Sequence, residues 1–331
     1  MGYLTGKGVD ADLVLEAGLA AQSERGDAPY DRFRGRIIFP IRDAMARAIG
    51  LGGRAMDPNA RAKYLNSPET PLFDKGRSLY NHGPAREAAG KGQPLIVAEG
   101  YMDVIALSEA GFTAAVAPLG TAITEDQLRM LWRIAPEPII ALDGDAAGLR
   151  AAMRVIDSAL PLLEAGQSLR FAIMPDGLDP DDLIKAQGKG AMQALLDGAI
   201  PMVQLLWRRE TEGKNFDSPE RKASLDKVLR EKIKLIADPS IRHHYGEAIK
   251  EMRWALFSPR KQGAAPKRSP RAAWTRNQEP WQREISPLSS SKASELGAGT
   301  GDEVHLREAV ILATLIYTPD VILAFESEIE R

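Results

Sequence analysis

The residues of this chain best suited to chemistry are carboxylates that follow apolar runs. Asp143-Gly144-Asp145-Ala146-Ala147-Gly148 comes directly after Pro138-Ile139-Ile140-Ala141-Leu142, whose composition predicts a buried parallel strand. Glu99-Gly100 follows Leu95 to Ala98, and Asp179-Pro180-Asp181 comes soon after Leu169 to Met174. The carboxyl ends of parallel strands lie on one edge of a sheet, so acids distant in sequence converge there. Carboxylates gathered on one edge repel one another unless cations sit between them. The pattern therefore predicts divalent metal ions rather than a general acid–base pair. Mg²⁺ prefers carboxylate oxygen and leaves room for substrate phosphates. Two such ions can activate a hydroxyl and stabilise a leaving oxygen in phosphoryl transfer. Each acid also has an ordinary structural role open to it. Asp-Gly and Glu-Gly end strands as turns, and Asp179 or Asp181 can cap a helix starting near Leu183. Their joint occurrence on one edge favours metal-dependent phosphoryl transfer.

Other chemistries fail on spacing. Asp143 to Arg154 is not an EF-hand loop, because its fifth position is Ala147 and its twelfth is Arg154 rather than Glu. No Walker-type phosphate loop occurs. Gly50-Leu51-Gly52-Gly53-Arg54-Ala55 loosely matches a dinucleotide fingerprint, but the turn Met56-Asp57-Pro58-Asn59 follows where a helix is required. Those glycines read as a strand or hairpin. The four histidines lack zinc-ligand spacing, and no Ser-His-Asp arrangement can be argued. Cysteine is absent, which excludes disulfides and thiolate metal sites and fits a reducing cytoplasm. No run approaches the roughly 18 apolar residues of a membrane span, so no membrane partner is expected.

The net charge of −2 over 331 residues gives no global argument for nucleic acid, but the distribution does. Ten basic residues lie between Arg32 and Arg77, opposed by Asp43, Asp57, Glu69 and Asp74 alone. A basic region beside an acidic site is what an enzyme handling polyanions needs.

The elements that must position these groups follow from patterning. Ala11 to Ala21 predicts a helix, Phe33 to Ile41 a strand, and Lys63 to Thr70 a polar loop. From Pro94 strand and helix alternate. Strands are expected at Leu95–Ala98, Ala114–Leu119, Pro138–Leu142 and Leu169–Met174. Helices are expected at Tyr101–Ala110, from the Thr124 cap through Arg133, and at Ala146–Leu160. This order predicts an α/β fold with a parallel sheet covered by helices on both faces. A helical stretch without strands is expected over 189–257, with Trp207, Leu225, Val228, Leu229, Ile233, Ile236, Ile249 and Trp254 facing a core. Residues 258–303, rich in Pro, Ser, Gly, Arg and Gln, read as a flexible linker, and Val304 to Tyr317 as an apolar helix.

Three segments carry a family resemblance: Glu99-Gly100-Tyr101-Met102-Asp103-Val104, Asp143 to Gly148, and Asp179-Pro180-Asp181 resemble the acidic motifs of the Toprim domain. Arg34-Gly35-Arg36-Ile37-Ile38-Phe39-Pro40-Ile41-Arg42-Asp43, Gly52-Gly53-Arg54, Lys63 to Thr70 and Phe73-Asp74-Lys75-Gly76-Arg77 are similar to the basic core of the bacterial replicative DNA primases. The acids alone occur also in nucleases and topoisomerases; the basic segments narrow the match to primases. The resemblance spans roughly residues 3 to 257.

It implies a DNA-dependent RNA polymerase that makes short primers on single-stranded DNA from nucleoside triphosphates, using Mg²⁺ or Mn²⁺, in the cytoplasm at the replisome. By carry-over, Asp143, Asp145 and Asp179 are metal ligands supported by Asp181. Glu99 is a ligand or the base at the attacking 3′-hydroxyl. Arg34, Arg54, Lys63 and Lys75 hold template or triphosphate phosphates, with Asn66 beside them. The implied organisation is a basic N-terminal part of the polymerase domain (1–90), a Toprim domain (93–188), a helical subdomain (189–257), a linker (258–303) and the start of a helicase-binding domain (304–331). The family's zinc ribbon has no cysteines here to build it. The polymerase domain is expected to lack its first part and the helicase-docking domain to be cut short. A truncated chain that binds single-stranded DNA or helicase without synthesis is the non-enzymatic alternative.

Overall fold

The computed structural model describes residues 1–258, except 24, 25, 27 and 121. Apart from its first residue, the linker expected over 258–303 lies outside these residues, as does the apolar helix expected at Val304 to Tyr317. The chain opens with two short helices, α1 (Gly2–Gly6) and α2 (Ala11–Glu16), and a hairpin of β1 (Ala20–Ala21) with β2 (Tyr30–Asp31). The helix expected to reach Ala21 stops at Glu16, because Gly18 turns the chain at φ +68. An antiparallel sheet follows, ordered β3 (Arg36–Arg42), β4 (Ala48–Ala55) and β5 (Tyr64–Asn66). The segment read as a polar loop thus contributes β5. Three residues are too few to display a period in sequence. A 3₁₀ turn (Lys75–Arg77) and α3 (His82–Gly90) lead to the second sheet.

That sheet holds the expected alternation: β6 (Ile96–Val97), α4 (Tyr101–Glu109), β7 (Ala115–Val116), α5 (Glu125–Ile134), β8 (Ile139–Leu142), α6 (Ala146–Ala159), β9 (Arg170–Ile173) and α7 (Pro180–Asp197). β6 to β9 pair in parallel, in the order β9-β8-β6-β7. A fifth strand, β10 (Ile200–Pro201), pairs antiparallel with β9, inside the stretch expected to hold no strand. Two residues leave no periodic signal, and Pro201 is tolerated because β10 sits at the sheet edge.

Both faces of the sheet are buried, which is why its strands read as continuous apolar runs. Ile96, Ile139, Ala141 and Ala172 point to one face, where Val104 and Leu107 of α4 and Leu183, Met192 and Leu196 of α7 cover them. Val97, Val116, Ile140, Leu142 and Phe171 point to the other, beneath Leu128 and Leu131 of α5 and Val155 and Ile156 of α6. The remaining helices, α8 (Met202–Thr211), α9 (Pro219–Lys234) and α10 (Pro239–Phe257), add Leu205, Leu206, Leu225, Leu229 and Ile249 to this second cluster. Trp254, expected in the core, is 74% exposed. The packed stripe of α10 runs through Ile241, Tyr245, Ile249 and Met252, and at 100° per residue Trp254 falls on the opposite side.

Candidate metal and nucleotide site

The carboxylates stand where the parallel strands end. Asp143 follows β8, and the two glycines of its motif are fixed by packing. A Cβ on Gly144 would lie 2.0 Å from the Pro175 carbonyl oxygen, and one on Gly148 would lie 2.3 Å from that of Asp143. Gly144 N–H donates to the Leu178 carbonyl at 3.2 Å. This close approach brings the loop carrying Asp179 against the loop carrying Asp143.

Three of the expected metal acids carry structural bonds as well. Asp145 caps α6 by accepting from Gly148 N–H at 2.7 Å. Asp179 caps α7 by accepting from Asp182 N–H at 2.7 Å. Asp181 pairs with Lys185 at 2.6 Å. The ordinary structural roles are therefore real and coexist with the motif. They also turn these carboxylates toward their own helices. Among the described residues, no three acidic or histidine side chains close around one point that could hold an ion. The expected convergence of five carboxylates is accordingly looser than the strand-edge argument implied.

Asp143 differs from the capping pair, because its Oδ1 is buried with no hydrogen-bond partner. Burial, followed by the charges of Glu99, Asp179, Asp145 and Asp182, pushes its carboxyl up to about 6. Glu99 is also raised, chiefly by burial, with Asp143 N–H and Arg154 opposing and Asp145 adding to the rise. Such a set suits a hard cation. Mg²⁺ takes one or two protein carboxylates and completes its shell with water and phosphate oxygens, so a cage of three is not required. An orphaned carboxylate oxygen flanked by mutually repelling acids is the donor such an ion would use.

Asp103 was missed in the sequence. It is 7% exposed and accepts from Gly100 N–H at 2.9 Å. Burial, then Asp179 and Asp143, push it up to about 7, with Gly100 N–H opposing and Asp181 adding. Its place four residues after Glu99, in the first turn of α4, reads as an ordinary helix-start acid. Nothing in the sequence signals its burial.

The basic subdomain meets these acids through aromatic rings. A cavity of about 310 Å³ is lined by Glu99, Asp103, Asp143 and Asp179 on one side and Lys63, Tyr64 and Asn66 on the other. Burial raises the Tyr64 hydroxyl, with the Arg54 charge opposing and Asp103, Asp179 and Asp181 adding to the rise. Asn66 is a strut: its Oδ1 accepts from the Tyr101 hydroxyl, and its Nδ2 donates to the Leu119 carbonyl at 3.0 Å. Its oxygen and one of its N–H groups are engaged, and it lines the cavity with Lys63, so it holds the wall beside the expected phosphate position. Tyr101 stacks on Phe39 at 5.6 Å and meets Tyr80 edge-on at 4.9 Å. A Cβ on Gly52 would fall 2.7 Å from the Tyr101 ring, which explains the glycine.

Lys63 is the one expected phosphate-binding cation in the cavity lining. Its Nζ also lies 5.8 Å from the Tyr64 ring centre. Arg54 lies on β4 beside Tyr64 in the register. Arg34 is exposed, 5.8 Å from the Tyr30 ring. Lys75 lies on the 3₁₀ turn, outside the lining.

Comparisons with known proteins show the family. Residues 1–86 match the family model of the DNA primase catalytic core, N-terminal domain, and residues 93–172 match the Toprim domain. A DNA primase from Rickettsia felis is 39% identical over 263 residues, covering 80% of this chain and 44% of that protein. A crystal structure of a DNA primase domain from Pseudomonas aeruginosa matches with a TM-score of 0.71 and 37% identity, covering 76% of this chain and 79% of that one. A DnaG primase catalytic domain bound to single-stranded DNA matches with a TM-score of 0.69 and 37% identity, covering 75% and 78%. The chain spans less than half the length of the Rickettsia felis relative.

Proposed function

Because this chain belongs to the DNA primase catalytic-core family, we propose that it is a nucleotidyltransferase extending short RNA strands from nucleoside triphosphates on single-stranded DNA. The observation that carries the reading is the cavity that holds Toprim acids and Lys63 together. Toprim acids alone serve nucleases and topoisomerases too; the match over residues 1–86 favours the primase.

In this proposal Asp143, Asp145 and Asp179 hold Mg²⁺ or Mn²⁺, and Asp181 supports them. A bound divalent ion supplies charge neutralisation between the carboxylates and the triphosphate. Glu99 lines the same cavity and joins the ion's shell or accepts the proton of the attacking 3′-hydroxyl. Lys63 neutralises phosphate from the opposite wall. Arg54, Arg34 and Lys75 extend the positive surface toward template phosphates. Asn66 and Tyr101 keep the two walls in register. A replicative helicase is the proposed partner and the cytoplasm the proposed location; no described helix is long and apolar enough to cross a membrane.

The test is RNA synthesis on a single-stranded template with nucleoside triphosphates and Mg²⁺ or Mn²⁺. Products are expected from the native chain and absent from Asp145→Asn. Cleaved DNA without RNA would shift the reading to a nuclease. Tight DNA binding with neither product would leave a binding fragment.

A further inference from the structure

We propose that a second cavity, between α3 and α5, is a binding site for linked phosphate groups. Its volume is about 400 Å³, and it shares no lining residue with the carboxylate cavity. Arg77, His82, Arg86, Arg129 and Arg133 line it, with Asp126 as the one acid among the lining residues. His82 and Arg86 are four residues apart on α3, and Arg129 and Arg133 are four apart on α5. That spacing puts each pair on one side of its helix, so Arg86 of one helix and Arg129 and Arg133 of the other turn to one concavity. Burial and the Arg86 charge lower the pKa of the His82 imidazole.

The local acids do not neutralise it. Arg77 reaches Asp126 at 3.7 Å and Arg129 reaches it at 3.5 Å, both long for a charge-assisted hydrogen bond. Arg129 also meets Glu125 at 3.2 Å. Arg86 and Arg133 pair with no acid among the described residues. A concave surface with unpaired guanidinium groups attracts anions, and the planar guanidinium fork matches phosphate oxygens.

The wall is also built to stay in place. Gln127 is fully buried and donates to the Lys75 and Ser78 carbonyls, each at 2.9 Å. Thr124 Oγ1 donates to the Gly76 carbonyl at 2.6 Å. These bonds fix the turn carrying Arg77 against the start of α5, which reduces the ordering cost of binding. The space exceeds what one orthophosphate needs and suits linked phosphates, either a strand backbone or a polyphosphate chain. This site stands independently of the nucleotidyl-transfer proposal, since none of its residues belongs to that machinery.

The experiment compares the native 331-residue chain with Arg86→Gln/Arg133→Gln and with the control Arg208→Gln/Arg230→Gln, which removes equal charge from exposed positions on α8 and α9. Two probes are titrated: a labelled oligo-dT over a range of NaCl concentrations, and inorganic tripolyphosphate by calorimetry without divalent ions. If the ligand is a strand, the cavity variant lowers the magnitude of the log K against log salt slope by about 1.4, or about 0.7 for each lost contact. If it is a free polyphosphate, tripolyphosphate affinity falls at least tenfold while the DNA slope stays unchanged. Either result supports the site. Unchanged binding of both probes, or equal losses in the control, would overturn it. Asp145→Asn should leave both titrations of this cavity intact even where it abolishes synthesis.

Discussion

At the scale of single residues, carboxylates are held near one another at a cost. Asp103 has an ordinary value of 3.8 and is pushed up to about 7 in the fold. Between those values the folded chain keeps a proton that the unfolded chain has released. Its contribution to stability is therefore fully present below about 3.8 and is lost as pH rises through about 7. Asp143, raised to about 6, acts in the same direction. Without divalent ions, the melting temperature should carry a loss from these acids between about pH 4 and 7, and Asp103→Asn should flatten it. Added Mg²⁺ should restore stability at pH 8. Melts in EDTA and in Mg²⁺ check this, and an unchanged pH slope in the variant would count against it. Gly144→Ala is a packing test, because its new Cβ would sit 2.0 Å from the Pro175 carbonyl. A loss of about 1–3 kcal/mol is expected from the forced backbone shift, measurable by urea unfolding.

At the scale of elements, the join between the two sheets is the critical feature. Asn66→Ala removes the partners of the Tyr101 hydroxyl and the Leu119 carbonyl. Each group left unsatisfied costs about 1–3 kcal/mol where water cannot reach it. The variant should unfold at lower denaturant, and any synthesis it retains should show a raised KM for nucleoside triphosphates as the cavity walls lose register. A stable variant with unchanged kinetics would contradict the strut. This join was not legible in the sequence. The parallel strands were, because burial on both faces leaves long apolar runs before Glu99 and Asp143. β5 and β10 were not, since two or three residues carry no period. The contacts of Asn66 with Tyr101 and Leu119 span 35 and 53 positions, and no local pattern encodes such distant partners. The positions of Glu99, Asp143 and Asp179 could be read from strand ends. The cap that Asp179 makes on α7 could be read as its structural alternative and is present, whereas Asp145, read structurally only as part of a turn, caps α6.

At the scale of the whole molecule, charge is segregated rather than large. A net charge of −2 conceals a basic N-terminal region set against a cavity lined by carboxylates. Lys63→Ala should weaken single-stranded DNA binding and lower the magnitude of its salt slope by about 0.7, as one phosphate contact is lost. An unchanged slope would remove Lys63 from that role. In the proposed site Asp143, with its unpaired oxygen, anchors a divalent cation in this cavity. Electron paramagnetic resonance of Mn²⁺ titrated into the chain tests it most directly. Saturable binding that Mg²⁺ displaces, weakened at least tenfold by Asp143→Asn, is the predicted result. Mn²⁺ binding of equal affinity in the native chain and in Asp143→Asn would contradict it.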